Sequence, residues 1–153
     1  MSVEITHPVR AALLRARDLV LTQEVEQPVI RPGHLLLALL EDPDSSASRL
    51  LAEYCDVTAL RGRLAKRLVG SREGHWWEAS DVPYALESRR ALTLAGQEAD
   101  AAGEMHVRPV HLLHGLFSLD AAVWYSDPAL LALEEAGIDV QTLRTQVLAA
   151  GTA

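Results

Sequence analysis

Ile30-Arg31-Pro32-Gly33-His34-Leu35-Leu36-Leu37 is written a second time as Val107-Arg108-Pro109-Val110-His111-Leu112-Leu113-His114. Both copies read apolar, Arg, Pro, any residue, His, Leu, Leu, and they stand 77 positions apart in a chain of 153 residues. So dense a match at half the chain length marks one supersecondary unit used twice. The length fits one ordinary domain, or two half-size units sharing a core.

Outward from the first copy, the residues predict helices. Proline suits a first helical turn, and the apolar run His34 to Leu40 behind Pro32 predicts a helix central in the core, stopped by Glu41-Asp42-Pro43-Asp44. Upstream, Thr6-His7-Pro8 predicts a helix start with the Thr6 hydroxyl as cap. Val9, Ala12, Leu13, Ala16, Leu19 and Val20 then recur at helical spacing on a face of mostly small residues. Downstream, Asp44 or Ser45 is expected to cap a third helix carrying Ala47, Leu50, Leu51 and Tyr54. Asp56 is expected to cap a fourth carrying Leu60, Leu64 and Leu68. Gly70 to Val82 mixes Gly, Ser, Glu and Asp with Trp76-Trp77 and has no helical period, so it reads as a connector.

The second unit begins at Tyr84. Ala91, Ala95 and Ala99 take the places of Ala12, Ala16 and Val20, and Asp139-Val140 with Leu143 repeats Asp56-Val57 with Leu60. The growing offset places six extra residues of copy two in a loop around Ser118 to Ser126. A seventh helix is expected near Pro128 to Ala136, closed by Gly137, and an eighth from Val140 to Ala150. The reading is all-α, eight helices as two pseudo-twofold-related quartets in one domain over 1–153. Repeat one spans 5–69, the connector 70–83 and repeat two 84–150.

Composition narrows the function. A net charge of −7, from 21 acidic and 14 basic residues, argues against nucleic acid and anionic membrane as partners. Cationic or unfolded partners fit better. One cysteine, Cys55, excludes an internal disulfide. With no signal-peptide pattern and no membrane-length apolar run, a cytoplasmic chain is expected.

The alanine-spaced helix, the His-Leu-Leu helix and the closing Gly-Ile-Asp-Val before Leu, given twice, resemble the N-terminal domain of the Clp unfoldases, ClpC and ClpA type. The resemblance covers roughly residues 3 to 150. It implies a non-catalytic docking platform for peptides, adaptors and, in the ClpC branch, cyclic-peptide antibiotics. No G-x-x-x-x-G-K-[ST] occurs, so no ATP-driven motor lies in this sequence, and a free-standing, monomeric Clp N-domain protein is the expectation. The Ala, Arg and Leu richness points to a high-GC source such as an actinobacterium.

The resemblance also assigns residues. In ClpC a Glu before each His, with a Thr near the start of each repeat, helps bind phosphorylated arginine. Here the Glu positions hold Gly33 and Val110, and the Thr positions hold Thr6 and Ala85. Without carboxylates a guanidinium loses its charge-assisted partner, so phosphoarginine recognition is expected to be lost. The resemblance places the cyclic-peptide site between the first helices of the two repeats; Tyr84 and Arg89 stand at its matching aromatic and basic positions, and Ser2 stands where the family has another aromatic. Trp76 and Trp77 read equally as a contact surface or as rings folded onto the core, beside Glu73, Glu78, Asp81 and Glu87.

No cofactor, metal site or catalytic residue is expected. His34 and His111 read as structural hydrogen-bonding groups. His111 and His114 share a helix face without a third zinc ligand, and Cys55 aligns with apolar Ile138 as an inert thiol. Two functions compete: capture of peptides or ClpC-directed cyclic peptides, sequestering an antibiotic, and regulation of a ClpC–ClpP assembly as adaptor-like partner or substrate receptor. An enzyme is disfavoured, because no nucleophile, base and orienting group can be assembled.

Overall fold

The computed structural model describes residues 4–23, 28–70 and 82–152. Ser2, Trp76 and Trp77, with Glu73, Glu78, Asp81 and most of the expected connector, lie outside the described residues. Those described form β1 (Glu4–Ile5), α1 (His7–Leu21), α2 (Pro32–Leu40), α3 (Ser46–Ala52), α4 (Val57–Leu68), α5 (Leu86–Ala101), β2 (His106–Val107), α6 (Pro109–Ser118), α7 (Ala121–Tyr125), α8 (Ala129–Glu135) and α9 (Val140–Ala150). The helical repeat architecture is as the duplicated motif predicts, with the short β1–β2 pair added to the all-α expectation.

The two copies of that motif form the centre. Every residue of α2 is buried, and every residue of α6 up to Phe117, because these apolar runs are covered on all sides. α1 packs on α2 through Val9, Ala12, Ala16 and Val20, and α5 packs on α6 through Ser88, Ala91, Ala95 and Ala99. Small side chains let the backbones approach closely. A side chain at Gly115 would run into the Ala91 carbonyl oxygen, so glycine there sets the α5–α6 spacing.

Backbone pairing makes the pseudo-twofold explicit. β1 runs parallel to β2, Glu4 beside His106 and Ile5 beside Val107, and the Thr6 N–H donates to Val107 O at 3.1 Å. On the other side Ile30 bridges Tyr84, and the Ala85 N–H donates to Ile30 O at 2.9 Å. Thr6 matches Ala85 and Ile30 matches Val107, so each repeat pairs the residues before its first helix with those before the other's second helix. The starts of α2 and α6 are treated alike. The Gly33 N–H donates to Asp127 Oδ2 and the Val110 N–H to Ser46 Oγ, each acceptor standing at the entry of a helix from the opposite repeat.

Most expected caps form. Ser45 caps α3 by accepting from Ser48 N, Asp56 caps α4, Asp139 caps α9, and Gly137 closes α8 at φ 75°. Three local expectations are corrected. Thr6 stands at the start of α1, yet its hydroxyl makes no capping bond. Tyr54 falls beyond the end of α3 and is 37% exposed, because that helix closes at Ala52. The six extra residues of copy two carry a ninth helix, α7. Its Trp124 is fully buried, stacks on Phe117 with ring centroids 5.2 Å apart, and donates its indole N–H to Leu116 O at 3.2 Å.

Candidate functional site

Of the residues singled out in the sequence, Thr6, Tyr84 and Ala85 lie where the backbones of the two repeats pair. Thr6 and Ala85 occupy equivalent positions just before α1 and α5, and each backbone is tied to the other repeat by the bonds above. Thr6 Oγ1 is buried with no hydrogen-bond partner among the described residues. Tyr84 is half-buried and clamped on both sides, since the Ile30 N–H donates to Pro83 O and the Ala85 N–H to Ile30 O. Burial pushes the Tyr84 phenol above its ordinary pKa, and the nearby Arg17 guanidinium of α1 partly offsets this. The ring of repeat two thus lies within electrostatic reach of the first helix of repeat one.

Arg89, one turn along α5, is exposed. It lines a hollow of about 770 Å3 with Leu86, Glu87, Arg90, Leu94, Leu119 and Val123. Tyr84 does not line that hollow.

At the positions where ClpC-like domains carry glutamate, the space beside Gly33 is filled. A side chain there would collide with Asp127 and would stand 2.8 Å from Ala129 Cβ. Asp127 is 7% exposed; burial raises its carboxyl pKa, while the Ala129 and Gly33 N–H groups and Arg31 work the other way. The sequence reading missed Asp127 and also Ser88, a fully buried hydroxyl that donates to Ile30 O at 2.7 Å. Asp127-Pro128 stands where Asp44-Ser45 precedes α3, and that parallel was the available signal.

His34 and His111 are structural hydrogen-bonding groups. His34 Nδ1 accepts the Arg31 N–H at 3.0 Å and His111 Nδ1 accepts the Arg108 N–H at 2.8 Å. Each ring proton is therefore assigned to Nε2, which faces Gln23 Oε1 at 3.0 Å from His34 and Glu104 Oε2 at 2.7 Å from His111. Burial, with Arg31 adding repulsion, lowers the His34 pKa to about 4. Glu104 also takes the Arg108 guanidinium at 2.9 Å, and that bond holds its carboxyl below the usual range. His114 is buried with Nδ1 3.9 Å from Glu98 Oε1. Cys55 is partly buried, which raises its thiol pKa, as does neighbouring Asp56. Among the described residues no group of three or more His, Cys, Asp and Glu side chains is arranged to hold a metal, and no helix is long and apolar enough to cross a membrane.

Solved structures share this architecture. The Hsp104 N-terminal domain from Candida albicans superposes with a TM-score of 0.67 at 18% identity, covering 98% of this chain and 93% of that one. The N-terminal domain of the ClpV1 ATPase from the E. coli EAEC Sci1 type VI system gives 0.61 at 26% identity over 97% and 88%. A ClpV N-domain solved in complex with a VipB peptide gives 0.62 at 16% identity over 97% and 89%. A search of curated protein sequences finds no match. The model of the Clp repeat (R) N-terminal domain matches residues 4–125, four-fifths of the sequence, and the chain belongs to that family.

Proposed function

We propose that this chain is a non-catalytic binding domain of the Clp protease system, holding peptides, adaptor segments or ClpC-directed cyclic peptides at the seam between α1 and α5. The observation that carries this reading is the setting of Tyr84. Its backbone is locked between Pro83, Ala85 and Ile30 of the other repeat, and its half-buried ring stands near Arg17 of α1. A rigid amphipathic ring offers apolar area and a hydroxyl at little entropic cost, which is what a peptide anchor needs. Thr6, Ala85 and Arg89 stand around the same helix starts. The peptide complex of the ClpV N-domain supports the class of guest, and binding of a cyclic-peptide antibiotic by a cytoplasmic monomer is its sharper form.

Calorimetric titration with a ClpC-directed cyclic peptide is the test. Wild type should take up the peptide with measurable heat and Tyr84→Ala should lose most of it. No heat with wild type rejects the antibiotic form. Co-purification of a hexameric Clp unfoldase that added cyclic peptide leaves unchanged would move the conclusion to a regulatory partner of the unfoldase.

A further inference from the structure

The hollow between α5 and α7 is lined in part by Leu94, and the first repeat carries a different residue at the matching position. Arg15, at the position matching Leu94, donates from Nε at 3.2 Å and from Nη2 at 2.8 Å to Ala38 O, closing the end of α2 with its own side chain. Leu94 cannot do this. The end of α6 is held instead by Arg144 from α9, whose Nε donates to Leu119 O at 3.0 Å, while α7 supplies Val123 as a lining residue. What remains is a hollow of about 770 Å3, within the size range of ligand pockets, with Leu86 at its edge 70% exposed.

The charges around it are not equivalent. Asp120 is engaged, accepting the Ala122 N–H at 3.0 Å as the cap of α7. Glu87 lies in the first turn of α5, where the helix dipole favours a carboxylate. Arg89 and Arg90 are exposed, and neither has an ion-pair or side-chain hydrogen-bond partner among the described residues. A guanidinium fork takes a carboxylate through two parallel hydrogen bonds, and the leucine and valine lining favours an aliphatic side chain removed from water.

We propose that this hollow is a second binding site, taking a short peptide segment in which leucine-type side chains alternate with carboxylates. It shares only Arg89 with the residues at the inter-repeat seam and stands or falls separately from the cyclic-peptide reading. The test is fluorescence anisotropy with a fluorescein-labelled peptide of repeated Leu-Glu, and a matched peptide of repeated Leu-Lys. Wild type should bind the Leu-Glu peptide saturably. Arg90→Glu, Val123→Asp and the Leu-Lys peptide should each weaken binding by at least about tenfold, while Lys66→Glu, the same charge change on α4, should not. Arg90 is exposed, so its reversal leaves the fold intact and keeps the test decisive even where Val123→Asp does not fold. Absence of saturable binding, equal affinity for the Leu-Lys peptide, or indifference to Arg90→Glu would overturn the site. A concentration-dependent dimer, broken by Arg90→Glu and by added Leu-Glu peptide, would make a second copy of the chain the occupant and would also overturn it.

Discussion

The Gly33 N–H donates to the Asp127 carboxylate at 3.1 Å, joining the start of α2 to the entry of α8 across 94 positions of sequence. The other carboxylate oxygen takes the Ala129 N–H at 2.9 Å, so one buried acid caps two helix starts. The same contact explains why residue 33 carries no side chain.

Gly33→Ala should therefore destabilise the fold by about 1–3 kcal/mol, since the added methyl meets Asp127 and Ala129 and neither can retreat without breaking the caps. Asp127→Ala should cost about 1–3 kcal/mol by leaving two amides unpaired. Urea denaturation reads both, and an unshifted midpoint for Gly33→Ala would contradict the packing. Gly33→Glu should not create phosphoarginine affinity, because Asp127 already fills the space. Titration of wild type or variant with free phosphoarginine should give no heat.

Thr6→Val should leave stability within about 0.5 kcal/mol of wild type, or raise it, because the hydroxyl is buried without a partner among the described residues and caps nothing. Asp56→Ala and Asp139→Ala should each cost about 1 kcal/mol, since those carboxylates accept from Ala59 N and Thr142 N. Thermal melts of the three variants separate a working cap from a cap in sequence only.

Acidification should weaken the fold through His34. Its folded pKa of about 4 lies below the unfolded value of 6.5, so the unfolded chain binds the proton first. The contribution is complete above pH 6.5 and is lost as pH falls toward 4, reaching roughly 3 kcal/mol at the bottom of that window. The unfolding free energy of His34→Gln should fall less than that of wild type between pH 7 and pH 4. Parallel curves would refute the assignment.

Two glycines should respond in opposite directions. Gly115→Ala forces the new methyl into the Ala91 carbonyl, a backbone atom, and should cost about 1–3 kcal/mol. Gly96→Ala, in the interior of α5 with no atom within 4 Å of the new methyl, should gain about 0.5–1 kcal/mol. Melting temperatures moving the same way for both would show that helix propensity outweighs the α5–α6 approach.

The helical repeat was readable because it rests on local regularities. Pro32 and Pro109 open helices wherever they stand, apolar runs demand burial, and Asp56 and Asp139 cap through residues only three positions on. α7 was missed because five residues are too few to display a helical period, and its stability comes from Trp124 lying on Phe117. Thr6 misled because its local pattern is that of a cap, whereas its backbone is fixed by Val107 of the other repeat.

The sequence by itself determined the duplication, the helix order and the two central helices, since each follows from periodicity and turn chemistry within a short window. Only the tertiary structure decided what faces what. Asp127 reaches Gly33, Arg17 stands near Tyr84, and Arg15 reaches the Ala38 carbonyl in one repeat where Leu94 lines a hollow in the other. Those relationships are distances between residues far apart along the chain, and they exist only once packing has brought the two halves together.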